Sequence, residues 1–159
     1  MKITKLEEYG LRCLLQVASA KDHISVTIPE VAEAENISLD YAAKLLTILR
    51  RLKFIRSTRG AQGGYSLARR AEKITLGEVL KALGGFGLSK DVCNKSFPGA
   101  MAKCPHRKKC NIRPVWLTIA RYVSAALDQM TLADLIKTES SVRKLAEEKF
   151  QQQIKSVSM

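Results

Sequence analysis

Ser38-Leu39-Asp40-Tyr41, running on through Lys44-Leu45-Leu46-Thr47-Ile48-Leu49-Arg50-Arg51-Leu52-Lys53 to Arg59-Gly60-Ala61-Gln62-Gly63-Gly64-Tyr65, is the stretch whose reading decides the fold. Ser38 suits a helix N-cap, and apolar residues at helical spacing carry that helix to about Leu52. Phe54 to Arg59 then reads as a strand, the glycines as a tight tip, and Tyr65 to Ala68 as a returning strand. Just upstream, Thr27 with Glu30 opens a short helix, Pro29 being tolerated in its first turn. Glu35-Asn36-Ile37 is a tight turn. Two short helices joined by such a turn make a helix-turn-helix, and the hairpin that follows makes it a winged one.

Working outward, Thr4 with Glu7 opens a first helix with the apolar stripe Leu6, Leu11, Leu14, Leu15 and Val17, within which Cys13 reads as a small core residue. Thr75 with Glu78 opens another, from Leu76 to about Leu83. The pattern breaks at Gly84-Gly85, and a loop rich in cysteine and lysine runs to about Asn111. A long helix starts near Pro114, with Ile112, Val115, Trp116, Ile119, Val123, Ala126, Leu127 and Met130 at three- and four-residue steps. Thr131 with Asp134 starts a last short helix, and the polar stretch from Thr138 to Met159 is either helix or frayed tail. The expected class is mainly α, a winged helix-turn-helix with a small hairpin wing and a long C-terminal helix. It divides as residues 1–84, a cysteine loop 85–111, the long helix with its short successor 112–137, and a polar tail 138–159.

The chain of 159 residues carries 27 Lys and Arg against 15 Asp and Glu, a net charge of +12, which favours a polyanionic partner. From Tyr41 to Ala71 there is no acidic residue, while Lys44, Arg50, Arg51, Lys53, Arg56, Arg59, Arg69 and Arg70 fall there. Double-stranded DNA fits this pattern. Ser38, Asp40, Tyr41 and Lys44 lie in the first turns of the third helix, where base edges are reached, and Arg50, Arg51 and Lys53 lie where phosphates are. Arg59, beside Gly60, Gly63 and Gly64 at the wing tip, suits a minor groove. No Cys-x-x-Cys pair, Ser/His/Asp set or phosphate-binding glycine loop points to catalysis. The N-terminus enters an amphipathic helix directly and no apolar run would span a bilayer, so a cytoplasmic location without membrane association is expected.

In that setting cysteines are metal ligands or redox groups more readily than disulfides. Cys93, Cys104 and Cys110 are separated by ten and then five residues, and Lys90, Lys95, Lys103, Arg107, Lys108 and Lys109 surround them. Three thiolates in one loop can converge on a soft centre, an iron–sulfur cluster or zinc, and the cations would offset its negative charge. His106 is available as a further ligand.

The runs Ile37 to Tyr41, Leu45 to Lys53 and Arg59 to Ala68 resemble the Rrf family of IscR/NsrR-like winged-helix transcription regulators. So do Lys2 to Arg12, Ile74 to Val79 and Ile112 to Ile136, and the resemblance covers about residues 1–137. It implies a symmetric homodimer with long helices crossed between subunits, reading a pseudo-palindromic operator. It implies a regulator, of repressor type, whose operator affinity is controlled by a cluster that senses iron, redox state or nitric oxide. Many members carry three cysteines before the long helix with a similar second gap; the ten-residue first gap is longer here. That leaves a 2Fe–2S or a 4Fe–4S cluster open, with zinc or a thiol switch as the alternative. For the fourth ligand, the resemblance points to a carboxylate near the start of the first helix, supplied across the dimer, which is Glu8 here; His106 is the alternative. Glu7, adjacent, reads as a capping residue. The position at which other members place a ligating histidine holds Arg113, which cannot ligate. Trp116 and Tyr122 read as packing on the dimer helix.

Overall fold

A computed structural model describes residues 3–20, 25–58, 60, 63–85, 104–106 and 109–157, with side chains of the last helix described as far as 152. Helix α1 spans Lys5–Ser19, α2 Ile28–Ala34 and α3 Leu39–Arg51. Strands β1, Ile55–Thr58, and β2, Gly64–Leu67, follow, then a 3-10 turn at Ala71–Lys73 and α4, Leu76–Leu83. Beyond the cysteine loop come α5, Ile112–Gln129, α6, Leu132–Leu135, and α7, Glu139–Val157. This is a mainly helical winged helix-turn-helix.

Helix starts are set by side-chain caps. Thr4, Thr27 and Thr131 each accept the amide three residues on, while Glu7, Glu30 and Asp134 return a carboxylate to the cap. Thr75 departs from the expected reciprocity. Its hydroxyl accepts from the Glu78 amide at 3.2 Å, but the Glu78 carboxylate is drawn away to Arg69 at 2.5 Å. A guanidinium outbids a neutral amide for the same carboxylate.

Both ends of the helix-turn-helix are closed by paired C-terminal hydrogen bonds. After α2, Ile37 N–H donates to the Ala32 carbonyl and Asn36 N–H to that of Glu33; after α3, Phe54 donates to Leu49 and Lys53 to Arg50. That geometry needs a left-handed residue, and Asn36 (φ 50°) and Lys53 (φ 62°) supply it without glycine. Asn tolerates the conformation; Lys53 carries strain there.

The core is formed by Cys13, Leu14, Val17, Val31, Leu45, Leu46, Leu49, Phe54, Ile55, Ile74, Val79 and Leu132. Burial of each large apolar side chain contributes roughly 1.5–3 kcal/mol. On α1 the buried line is Glu7, Gly10, Cys13, Leu14 and Val17. It is rotated from the expected stripe, for Leu6, Leu11 and Leu15 are only partly buried. Gly10 explains the rotation: a Cβ there would lie 2.9 Å from Leu83, so the missing side chain lets α4 approach α1 closely.

The wing is a two-stranded antiparallel sheet pairing Ile55 with Leu67 and Thr58 with Gly64. A third strand-like contact, invisible in the sequence, comes from Val26, whose N–H and C=O both bond to Tyr65, at 2.9 and 2.8 Å. Gly64 permits this, since a Cβ would sit 2.8 Å from the Val26 carbonyl.

Helix α5 is tied to this body at its C-terminal end. Leu76 N–H donates to the Met130 carbonyl and Leu132 N–H to that of Ile74, both at 2.8 Å. The Lys81 ammonium reaches the Asp128 carboxylate at 2.8 Å. The single apolar stripe expected along α5 is therefore divided. Met130 is buried within the subunit, whereas Ile112, Val115, Trp116 and Ile119 stay exposed. The polar stretch left open between helix and frayed tail is helix α7, held by Lys149, which donates to the Gln129 carbonyl and the Asp134 carboxylate at 2.9 and 2.6 Å.

Candidate nucleic-acid interface and cysteine loop

Helix α3 turns Ala42, Leu45, Leu46 and Leu49 into the core, which fixes the opposite face outward. Ser38, Asp40, Lys44, Arg50 and Arg51 are exposed there. Ser38 caps the helix by accepting the Tyr41 amide at 3.2 Å, and Asp40 gains from the positive helix end. Tyr41 is set apart from this row. Its ring is partly buried, packs edge-on to Tyr9 at 5.9 Å between centroids, and its phenol is pushed up from the usual value chiefly by burial.

Ion pairing sorts the cations of the acid-free stretch. Arg69 is held by Glu78 and lies over the Phe54 ring, and Arg70 pairs with Glu72. Among the described residues, Lys44, Arg50, Arg51, Lys53 and Arg56 meet no carboxylate, and the Arg56 guanidinium is laid along the wing by a 3.1 Å bond to Ser66. The cations left unneutralised are thus on α3, its C-terminal turn and β1. At the wing tip Gly60 has φ 120° and open space around it, and a Cβ at Gly63 would lie 2.7 Å from the Thr58 carbonyl. Arg59 lies outside the described residues.

Of the expected metal ligands, Cys93 also lies outside the described residues. Cys104 and Cys110 are free and half-buried, and His106 is exposed on the turn after Cys104. The Cys110 sulfur accepts the Arg113 amide at 3.4 Å, at the start of α5. Asn111, the N-cap, makes no side-chain bond, and the first turn holds no acid. The Cys110 sulfur therefore lies at the amide end of an 18-residue helix. Glu8 is half-exposed and bonds to Arg12 at 3.1 Å; Arg12 also faces Glu35, at 3.8 Å, which accepts from Gln16 at 2.6 Å. This link from α1 to the helix-turn-helix turn was not read from the sequence, although the four-residue step from Glu8 to Arg12 is a signal for its first member. Among the described residues no three His, Cys, Asp or Glu side chains gather in one place.

Cys13 is apart from all of these. It is fully buried, and its thiol is pushed up to about 12 by burial first and by Glu35 second. That matches the core role expected for it.

Among the described residues no helix is long and apolar enough to cross a membrane. Residues 3–138 match the Rrf2 family, described as an iron-dependent transcriptional regulator. The chain is 36% identical over 140 residues to Protein rrf2 of Nitratidesulfovibrio vulgaris strain Hildenborough, covering 88% of this chain and 90% of that one. Among solved structures, it is similar to T. potens IscR, with TM-score 0.68, 27% identity and 86% of each chain covered. It is also similar to CymR, the global cysteine regulator of B. subtilis, with TM-score 0.67, 27% identity, and 86% of this chain and 96% of that one covered. The family match spans the winged helix, the cysteine loop and the long helix alike. The chain belongs to the Rrf2 family of winged-helix transcriptional regulators.

Proposed function

We propose that this regulator is a homodimeric repressor that binds a pseudo-palindromic operator, with an affinity set by an iron–sulfur cluster on Cys93, Cys104 and Cys110. The observation that carries the reading is the placement of α5. Its first turn donates an amide to Cys110, and the chain at its other end, Met130 and Leu132, is hydrogen-bonded to Leu76 and Ile74 of the DNA-binding body. One rigid element thus spans from the cysteine loop to the body that holds α3.

The four groups that would hold a cluster are the three cysteines and either Glu8 of the partner or His106. A bound cluster supplies a centre that oxidant, nitric oxide or iron shortage can alter or remove. The chain's own residues do the rest. Lys109 and the start of α5 stabilise negative charge on the sulfurs; Arg12 gives up or regains Glu8; Lys81 and Gly77 keep α5 seated on α4. Gly77 leaves the space that Asp128 fills. Movement of α5 then biases two arrangements of the dimer that differ in operator affinity. Ser38, Asp40 and Lys44 face base edges, Arg50, Arg51 and Lys53 face phosphates, and the wing carries Arg59 into the minor groove.

The apolar residues Ile112, Val115, Trp116, Ile119 and Tyr122, all exposed on α5, support the dimer. Turns of one face exposing this many large apolar groups are covered in stable proteins.

A second reading replaces the cluster by zinc or a thiol switch, and the likeness to a cysteine regulator favours it. Purification without oxygen separates them. Absorption at about 400 nm with matching iron and acid-labile sulfide supports the cluster. Colourless protein with one zinc per subunit overturns it in favour of a structural metal, and colourless protein that stays so after reconstitution with iron and sulfide leaves the thiol switch.

A further inference from the structure

Leu39 stands out on the DNA-facing end of α3. It is a large apolar side chain in the first turn, yet it is 56% exposed and takes no part in the core that Ala42, Leu45, Leu46 and Leu49 build. Its neighbours on that surface are Ser38 and Asp40, both exposed, and Ala43, one turn on and on the same flank. The flank is therefore a small apolar strip beside a polar row. Exposed leucines scattered on a surface are ordinary. This one sits at the N-terminal end of the recognition helix, which is the part that reaches base edges in a major groove.

Each base pair shows a distinct pattern in that groove, and only thymine presents an apolar group, its C5-methyl. Lys44 and Asp40 supply a donor and an acceptor for polar edges. Leu39 can supply neither. What it can gain on binding is removal of its exposed surface from water against another apolar group, and the phosphates and polar base edges around it offer no other.

We propose that Leu39 is a specificity-determining residue that reads a thymine C5-methyl group in each half-site, with Ala43 leaving room for that base. This rests on the DNA-binding reading of α3 and adds to it one base preference that charge alone does not dictate.

Deoxyuridine differs from thymidine only by that methyl. The experiment selects an operator from random duplex DNA with the intact protein, then replaces each thymine by deoxyuridine, one symmetric pair at a time. At one pair the intact protein should lose about fourfold in affinity per half-site, the worth of one buried carbon-sized group. Leu39→Ala should bind the unmodified operator as weakly as the intact protein binds the uracil form, and should be insensitive to uracil at that pair alone. Leu39→Met, apolar and of similar size, should restore the sensitivity. Equal uracil sensitivity of intact protein and Leu39→Ala at every position overturns the proposal. So does an intact protein that no uracil replacement weakens, or a selected operator without a fixed thymine; neither result needs a variant. Failure to select any operator would instead remove the DNA-binding reading itself.

Discussion

Helices α3 and α5 are built in opposite ways. Helix α3 is finished within its own subunit. Ser38 caps its start, paired hydrogen bonds close its end at Lys53 and Phe54, and Ala42, Leu45, Leu46 and Leu49 are buried in the core. Helix α5 is longer but unfinished. Asn111 provides no side-chain cap, and the Cys110 sulfur accepts the Arg113 amide in its first turn. Half its apolar stripe faces outward. The contrast fits the proposed division of labour, in which α3 reads DNA from a fixed position and α5 carries control: α3 has its apolar core side chains covered by its own subunit, and α5 leaves large apolar side chains exposed.

The comparison can be broken most forcefully at α3. Leu46 is fully buried, so Leu46→Ala should cost about 2–5 kcal/mol in denaturant unfolding, much of a typical domain's stability. A loss below ~1 kcal/mol would mean that α3 is not anchored as described. On α5, Trp116→Glu should do the reverse. Far-ultraviolet circular dichroism and the melting temperature should barely change, because the side chain is 51% exposed. Sedimentation should show the dimer dissociating, its dissociation constant raised about a hundredfold by an unpaired charge in the contact. Monomer and unfolded protein appearing together would contradict the division.

The pairing of α6 with α7, just beyond the end of α5, gives a pH test. Burial raises the Asp134 carboxyl, but the 2.6 Å bond from Lys149 and those from the Thr131 amide and hydroxyl outweigh it and hold it down at about 2. A carboxyl held below its ordinary 3.8 contributes stability that is complete above that value and is lost as pH falls toward 2. Asp134→Asn should therefore be less stable than the parent at pH 7, and the difference should shrink between pH 4 and pH 2. A constant difference would remove Asp134 as the titrating group. The smallest effect is expected at Lys53. Replacement by glycine relieves the left-handed backbone and should stabilise by roughly 0.5–1 kcal/mol, while weakening DNA binding through one lost phosphate contact.

What could be read in the sequence was what is local. Thr4, Thr27, Thr75 and Thr131 announce helix starts because a cap and an acidic residue stand three positions apart, and Ser38 announces one by its residue type. The hairpin announces itself through Gly60, Gly63 and Gly64. What could not be read depends on residues brought together by folding. The Glu78 carboxylate leaves its cap because Arg69 arrives beside it, the α1 stripe rotates because Gly10 admits Leu83, and Val26 joins the wing across 39 residues of chain. The stripe on α5 was legible as apolar, but periodicity does not say that Met130 turns inward while Trp116 faces out. For the candidate site, α3 was legible as a basic helix opening an acid-free stretch, and the sorting of that stretch's cations into paired and unpaired was not. Cys13 was distinguishable from the loop cysteines by its place in an apolar helix face.

The most direct test is operator affinity measured at one salt concentration for protein reconstituted with iron and sulfide, and for the same preparation after both have been removed without oxidising the thiols. Control through α5 predicts that the two affinities differ by about tenfold or more, in the range of ordinary coupling between sites. It also predicts that Cys104→Ala behaves as the cluster-free form under both conditions. Equal affinities would show that the cysteine loop and α3 are not coupled, and would contradict the account at its centre.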